Sequence, residues 1–458
     1  SVTRYTASQA RSLPWTKRRL FSPIDMVQKK GIRWFIKGLS DILTQQKEAR
    51  NRRHEVRESR FDAGLYKLYK ENLLCYIVMK QYQQHRRFRM ELSYTNVECF
   101  IKPIFSHLHV YQLRNLILVV YGIIHSRSLE CAEIARHVPT RTDHHHTKKR
   151  IHRFLDNENV DLSLLMKCWC KFMVVILLYG LRTYLPVIVD ITWVCGEKYL
   201  VASIPFLFRC IPIAFRRFTD EEIGKGTSQN LIENAFFEWL HDTLIDYRVV
   251  IIADRGFRRA SLIEHLRSLP LHYVIRVCGN VWISTSKDAK EKYCGILGNM
   301  KLKAGERRYI YNAQYHQTHQ VSTHLVLGML KAEKGKKIEP WYIATDLSNL
   351  DKAYAYYERR MWIEEMFRDF KSRFHWCKYK VETERRREML TFCLMVSYTI
   401  VALLGYQVLK TNRQSRISSY GKSSIIWLGI GILNHKRDSA SALFRQIRRR
   451  YGLVAEMK

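Results

Sequence analysis

Residues 249–256 read Val-Val-Ile-Ile-Ala-Asp-Arg-Gly. Five apolar residues in a row, mostly β-branched, form the pattern of a strand buried on both faces. Gly256 supplies the turn behind it, so this strand closes on a carboxylate, Asp254. Upstream, Leu185–Val189 is a second short apolar run, and it too ends in an acid, Asp190. Between them, Lys198–Phe206 and Phe208–Phe215 predict two further strands, and Ser228–Ile245 predicts an amphipathic helix. Arg258–Leu269 then predicts a helix and Tyr273–Val277 another strand. A single acid at a strand end commonly caps the next turn. Two of them on neighbouring strands stand at one rim of a sheet, where hard cations find oxygen ligands. Structural capping remains the other reading of this pair.

Three strands, a helix, then a strand bearing a second acid is the order of a ribonuclease H-like sheet. Residues 279–340 read as a β-rich, loop-rich insertion. The chain is 458 residues long, with 47% apolar and 12% aromatic residues. That length implies two to four structural units and enough apolar material for sizeable cores. Lys and Arg number 77 against 42 Asp and Glu, a net charge of +35. Such an excess marks a polyanion binder, with nucleic acid as the first partner to consider.

Upstream of the sheet the pattern is helical. Ser128 is placed to cap a helix over Leu129–Val138, Pro139 breaks it, and Asp143 is placed to cap a second helix from His144 to Leu155. That is the plan of a helix-turn-helix. The second helix presents His146, Lys148, Lys149, Arg150 and Arg153 as a face for phosphates and base edges. Three consecutive histidines there could instead bind metal, but neighbours on a helix point in different directions. The first hundred residues hold basic clusters interleaved with apolar ones, read as an arm on DNA or a solvated basic surface. Ser1–Pro23 has the composition of a transit peptide, yet the basic character continues far beyond it. The 11 cysteines contain no C-x-x-C pair, which argues for reduced, mostly buried thiols in a cytosolic or nucleoid protein. Phe172–Leu181 is too short to cross a bilayer. Met389–Val408 is long enough, but its hydroxyl residues and basic flanks favour an internal helix.

Tyr354–Phe374 reads as one helix. At about 100° per residue, Tyr357, Arg360, Glu364 and Lys371 share an arc of about 60°, and Arg368 lies close to it. Ile363, Phe367, Phe370 and Phe374 form the apolar stripe that packs on the sheet. A carboxylate flanked by phosphate-binding groups suits a nucleic-acid strand passing over a metal. An exposed helix laced by Arg360–Glu364 and Glu364–Arg368 pairs is the alternative.

The spacing Y-x2-R-x3-E-x6-K, met by Tyr357, Arg360, Glu364 and Lys371, resembles the signature of the DDE cut-and-paste transposases of bacterial insertion sequences, the IS-four family. The strings EPWYIATDL (339–347) and YERRMWIEEMFRDFKS (357–372) resemble its transposon-ten branch, as do VIVDITW (187–193), IIADRGF (251–257) and PTRTDHHHTKKRIHRFLDN (139–157). The resemblance implies that Asp190, Asp254 and Glu364 are the catalytic acids holding two Mg2+ ions, for which Mn2+ can substitute. It implies that Tyr357, Arg360 and Lys371 contact phosphates of the transposon end, and that Trp341 stacks a flipped base during hairpin formation. Met361 stands where some relatives carry a second Trp, with Trp362 one step further round.

The expected fold class is thus multidomain α+β. Residues 1–103 form a basic, partly helical region and 104–180 a helical DNA-binding domain. Residues 181–278 with 341–404 form the ribonuclease H-like catalytic core, interrupted by the insertion at 279–340, and 405–458 a basic helical C-terminal region. The expected partners are double-stranded terminal inverted repeats and target DNA, bound by a homodimer in the bacterial cytoplasm, with no membrane. A DNA-binding regulator derived from a transposase, or a nuclease that cuts without joining, are the rival functions.

Overall fold

The computed structural model describes residues 92–178, 184–224, 226–285, 292–329, 339–410 and 424–434. The basic N-terminal region up to residue 91 and most of the C-terminal region beyond 410 lie outside the described residues. The described chain begins with helices α1 (Tyr94–Ile101), α2 (Val110–Ser126), α3 (Cys131–Arg136), α4 (His144–Leu155) and α5 (Leu162–Leu178). Asp143 caps α4 as its sequence predicts, its carboxylate accepting from the His145 N–H at 3.3 Å. Helix α3 is shorter than expected. Ser128 does not cap it; its hydroxyl accepts from the Glu130 N–H at 3.1 Å, which holds the chain in a turn up to the start of the helix. Ile151, Phe154 and Leu155 bury one face of α4, while His146, Lys148, Lys149 and Arg153 stay exposed.

Strands β1 (Leu185–Val194), β2 (Glu197–Phe206) and β3 (Arg209–Phe218) then form an antiparallel meander. After helix α6 (Gln229–Thr243), capped by Ser228, come β4 (Val249–Ala253), helix α7 (Ala260–Ser268) and β5 (His272–Val277). Both β1–β4 and β4–β5 are parallel pairs. All five residues of β4 are buried, as expected for a central strand covered on both faces. The following strands are β6 (Trp282–Ser284), β7 (Cys294–Ile296), β8 (Arg307–Tyr315), β9 (Val321–Gly328) and β10 (Trp341–Thr345). Strands β6 to β9, from the 279–340 stretch, continue the same sheet. Strand β10 pairs antiparallel with β5 on one side and β9 on the other, giving one ten-stranded sheet ordered β3-β2-β1-β4-β5-β10-β9-β8-β6-β7.

Helices α8 (Leu350–Tyr357), α9 (Met361–Arg373), α10 (Glu384–Lys410) and α11 (Ile425–Asn434) complete the described chain. Helix α9 packs on β3 and β1 through Ile363, Met366, Phe367 and Phe370, which are buried. Among the described residues one helix, Glu384–Leu409, is long and apolar enough to cross a membrane, and 94% of its apolar window is buried inside the protein. It lies against α2, α11 and β3. Its approach to α11 is backbone on backbone: a side chain at Gly405 would meet the Ile425 carbonyl, and one at Gly429 the Val401 carbonyl. An apolar helix in this position is a core element, with Thr391, Ser397 and Thr399 buried in it.

Candidate active site

The strand register brings the first two acids together. Along the parallel β1–β4 ladder the last partners are Val189 and Ala253, so Asp190 and Asp254 are the next residues on adjacent strands. Neighbouring strands are about 4.8 Å apart, which sets the scale of their separation. The sequence predicts a strand ending at Asp190, but β1 continues past it to Val194. Strand β1 runs on through Ile191, Thr192, Trp193 and Val194, still paired with β2, because those side chains suit a strand and the Cys195-Gly196 turn closes the hairpin beyond them. Only β4 stops at this height. Its carboxylate turns back to accept from the Gly256 N–H at 2.7 Å, so Asp254 is both a cap and a member of the cluster.

The helix expected over Tyr354–Phe374 is two helices. Residues Glu358–Arg360 form a turn bridged by three-residue hydrogen bonds, Arg360 N–H to Tyr357 and Ile363 N–H to Arg360. Backbone angles at Glu358 and Arg360 remain helical, so this is a tightened joint rather than a break in direction forced by Pro or Gly. It sets Arg360 at the mouth of the acid pair. One guanidinium nitrogen lies 2.9 Å from an Asp190 oxygen and 3.6 Å from an Asp254 oxygen, and the other bonds Glu364 one turn on. Three carboxylates separated by up to 174 residues thus converge on one cation, with Asp190 at one end and Glu364 at the other.

Burial pushes the Asp190 carboxyl up to about 6 despite the Arg360 charge, and Asp254 and Glu364 add to the rise. Burial opposes the charge on Arg360, but the surrounding carboxylates hold its guanidinium protonated. The Asp190 shift has a signed consequence. Between the ordinary 3.8 and about 6 the folded protein binds the extra proton, so stability is highest below that window and is lost as pH rises through it. The difference is up to about 3 kcal/mol. In metal-free buffer, urea unfolding of the parent should weaken across that window relative to Asp190→Asn. Parallel pH profiles for the two proteins would remove this assignment.

The other residues singled out in the sequence are placed as follows. Lys371 is exposed and its ammonium donates to the Thr192 hydroxyl at 2.8 Å, two residues along β1 from Asp190 and on the same strand face. Tyr357 keeps its phenol within electrostatic reach of Arg360 and Asp254, from a different helix than Glu364. It belongs to α8, is 4% exposed, and packs edge-on against Trp341 with ring centres 5.1 Å apart. Burial holds its phenol above the usual range, and Arg276 lies in hydrogen-bonding reach. Trp341 opens β10, half-buried, with Tyr354 at 5.5 Å on its other side. Arg368 points to solvent and pairs with Glu365 at 2.8 Å, away from the acids. On α4, Arg150 is half-buried and donates to Asn115 of α2 at 2.6 Å, so it helps hold the helices together instead of facing outward.

Thr192 lies inside the VIVDITW string without being singled out there, and Arg276 carries no motif. Strand alternation gives a signal for Thr192 alone, since residues i and i+2 share a face. A cleft of about 710 Å3 adjoins the acids without including them, starting at Gly256 and lined by Arg258, Arg259, Trp282 and His316. As they stand, no three His, Cys, Asp or Glu side chains among the described residues are spaced to hold a metal ion. The donor set nevertheless fits divalent cations in kind, being three carboxylates whose charge a single guanidinium offsets only in part. The Arg360 Nε is buried without a partner, so this guanidinium is not fully satisfied where it sits.

Residues 225–400 match the transposase DDE domain family, a stretch that contains Asp254 and Glu364 but not Asp190. No curated protein matches the chain. A solved structure of similar shape is a piggyBac transposase synaptic complex with hairpin DNA, at 12% identity and a TM-score of 0.38, covering 82% of this chain and 81% of that one.

Proposed function

We propose that this protein is a DDE transposase that binds the ends of a mobile DNA element, cuts them and joins them to target DNA. The observation that carries this reading is the convergence of Asp190, Asp254 and Glu364 on Arg360, with two of the three acids inside the transposase-matched stretch. The order β3-β2-β1-β4-β5, with β2 antiparallel to its neighbours, supports a ribonuclease H-like catalytic core. The Tyr357, Arg360, Glu364 and Lys371 spacing supports the IS-four assignment.

Asp190, Asp254 and Glu364 are the groups to hold Mg2+ or Mn2+. When bound, such ions neutralise charge at the attacked phosphate and at the departing oxygen. Arg360 has the length to leave the acids for a DNA phosphate, exchanging one set of anionic oxygens for another. Lys371, two turns beyond Glu364 on α9 and held by Thr192 of the Asp190 strand, supplies a second phosphate contact beside the acids. Tyr357 works from the wall, holding Trp341 in place beside Arg276. Water and then a freed 3′ hydroxyl are the nucleophiles in this scheme. A homodimer joining two ends and a cytoplasmic location in bacteria complete the proposal.

Helix α4 is the proposed end-reading element, because Asp143 fixes its start and six basic or imidazole side chains remain exposed on it. Replacing Lys148 and Lys149 together by Ala should lower the salt dependence of DNA binding. Each lost phosphate contact removes roughly 0.9 from the slope of log K against log salt, so the slope drops by about 2. An unchanged slope in fluorescence-anisotropy titrations would place the DNA elsewhere.

The function is tested with purified protein and linear DNA carrying the inverted repeats that flank its coding sequence. The expected result is Mg2+-dependent nicking at the repeat boundary followed by joined products. Binding without cleavage would replace the proposal with a regulator, and cleavage without joined products with a hydrolytic nuclease.

A further inference from the structure

Of the ten cysteines among the described residues, all free, four are buried and three are exposed: Cys195, Cys294 and Cys377. The expectation of mostly buried thiols therefore does not hold. Two of the residues with exposed thiols meet through a thiol-to-carbonyl hydrogen bond, although they are 182 residues apart in the chain. Cys195 and Gly196 form the two-residue turn between β1 and β2, with φ of 50° and 82°. Left-handed angles at both positions define a turn that Asn, Asp or Gly normally starts, and a cysteine there is strained. Its thiol donates to the Cys377 carbonyl at 3.0 Å and lies in hydrogen-bonding reach of the Cys377 thiol. Cys377 sits in the one-turn 3-10 helix Trp376–Lys378 that follows α9. Its neighbour Trp376 is fully buried between Tyr199 and Phe370, at 4.9 and 5.2 Å, so this turn is anchored from below. Both thiols are thus held at the surface by rigid elements, facing each other.

We propose that Cys195 and Cys377 are a redox-modification site that closes to a reversible disulfide. The bridge fastens the hairpin of β1, which carries Asp190, to the exit of α9, which carries Glu364. A hydroperoxide is the fitting oxidant. One thiolate attacks the peroxide oxygen, breaking the O–O bond and giving a sulfenic acid and water; the second thiol then displaces the hydroxyl as a second water. Two electrons and two protons leave the pair and the peroxide takes both. Burial and the Cys377 thiol raise the Cys195 thiol above its usual range, so the reaction is expected to be slow at neutral pH. Nothing in this inference depends on the DNA chemistry proposed above.

The test uses the full chain treated with hydrogen peroxide, then alkylated and digested without reductant. The expected product is a peptide pair joining Cys195 to Cys377 that disappears on treatment with dithiothreitol. The oxidised protein should also melt at a higher temperature than the reduced one, because the bridge closes a long loop. Cys195→Ser should lose both the cross-linked peptide and the melting shift. Full alkylation of both thiols after peroxide treatment, or cross-links from Cys195 to other cysteines in its place, would overturn the proposal.

Discussion

Glu364→Gln should leave the protein folded and able to bind DNA while slowing the proposed metal-dependent cleavage by about a thousandfold or more. The expected size follows from charge. Ion-assisted stabilisation of a phosphoryl transition state is worth several kcal/mol, and about 4 kcal/mol is about a thousandfold. The fold should be spared because Glu364 is 41% exposed at its side chain and its described partner is Arg360, to which a glutamine oxygen still accepts. Asp254→Asn should behave alike, since an amide oxygen can still accept from the Gly256 N–H. Cleavage is read on labelled end-bearing DNA, and binding and melting on the same preparations. A variant that cuts within tenfold of the parent removes Glu364 from the reaction.

The second large effect is structural. Glu197, at the start of β2, is buried and accepts from Arg217 at 2.9 Å, Arg387 at 2.5 Å, and the Tyr199 and Tyr379 hydroxyls at 3.2 and 3.3 Å. It ties β2, β3, α10 and the segment after α9 into one polar knot. The charge of Glu197 also helps hold both phenols above their ordinary range, after burial and, at Tyr379, after the Tyr199 phenol. Glu197→Ala strips the acceptor from two arginines, one of them 3% exposed at its side chain. Breaking a buried ion pair from one side costs about 3 to 5 kcal/mol. Glu384 and Glu388 still reach Arg217, which puts the expected loss at the lower end. Urea unfolding measures it. A loss of less than about 1 kcal/mol, the scale of an exposed ion pair, would mean the knot contributes little.

How much of this was legible from sequence differs from residue to residue. Strand β4 is found to the residue, because Val249–Ala253 is uniformly apolar and bounded by Arg248 and Asp254. Helix α4 is found to the residue as well, through its Asp143 cap. Asp190 was located but its strand was cut short, since the acid interrupts an apolar run that resumes through Trp193 and Val194. The split between α8 and α9 has no local signal. No Pro or Gly marks it, and the tightened joint accompanies the pull of Arg360 toward acids on other elements. Arg150 shows the limit of a helical wheel, which gives angle, while only neighbours in space such as Asn115 decide which angles are covered. Placing 181–278 and 341–404 in one core puts β5 and β10 together, but their pairing has no local signal, because nothing near either strand encodes a partner some seventy residues away.

Strand β10 also decides when the molecule can be completed during its synthesis. Chains emerge N-terminus first, so β1 to β5 leave the ribosome with one face of the ladder, the outer edge of Tyr273–Val277, still lacking its neighbour. Strands β6 to β9 follow, but their link to that edge is β10, which emerges after all of them. Glu364 comes later still. A nascent chain therefore holds both aspartates for 110 residues of synthesis before the glutamate that joins them around Arg360 is added.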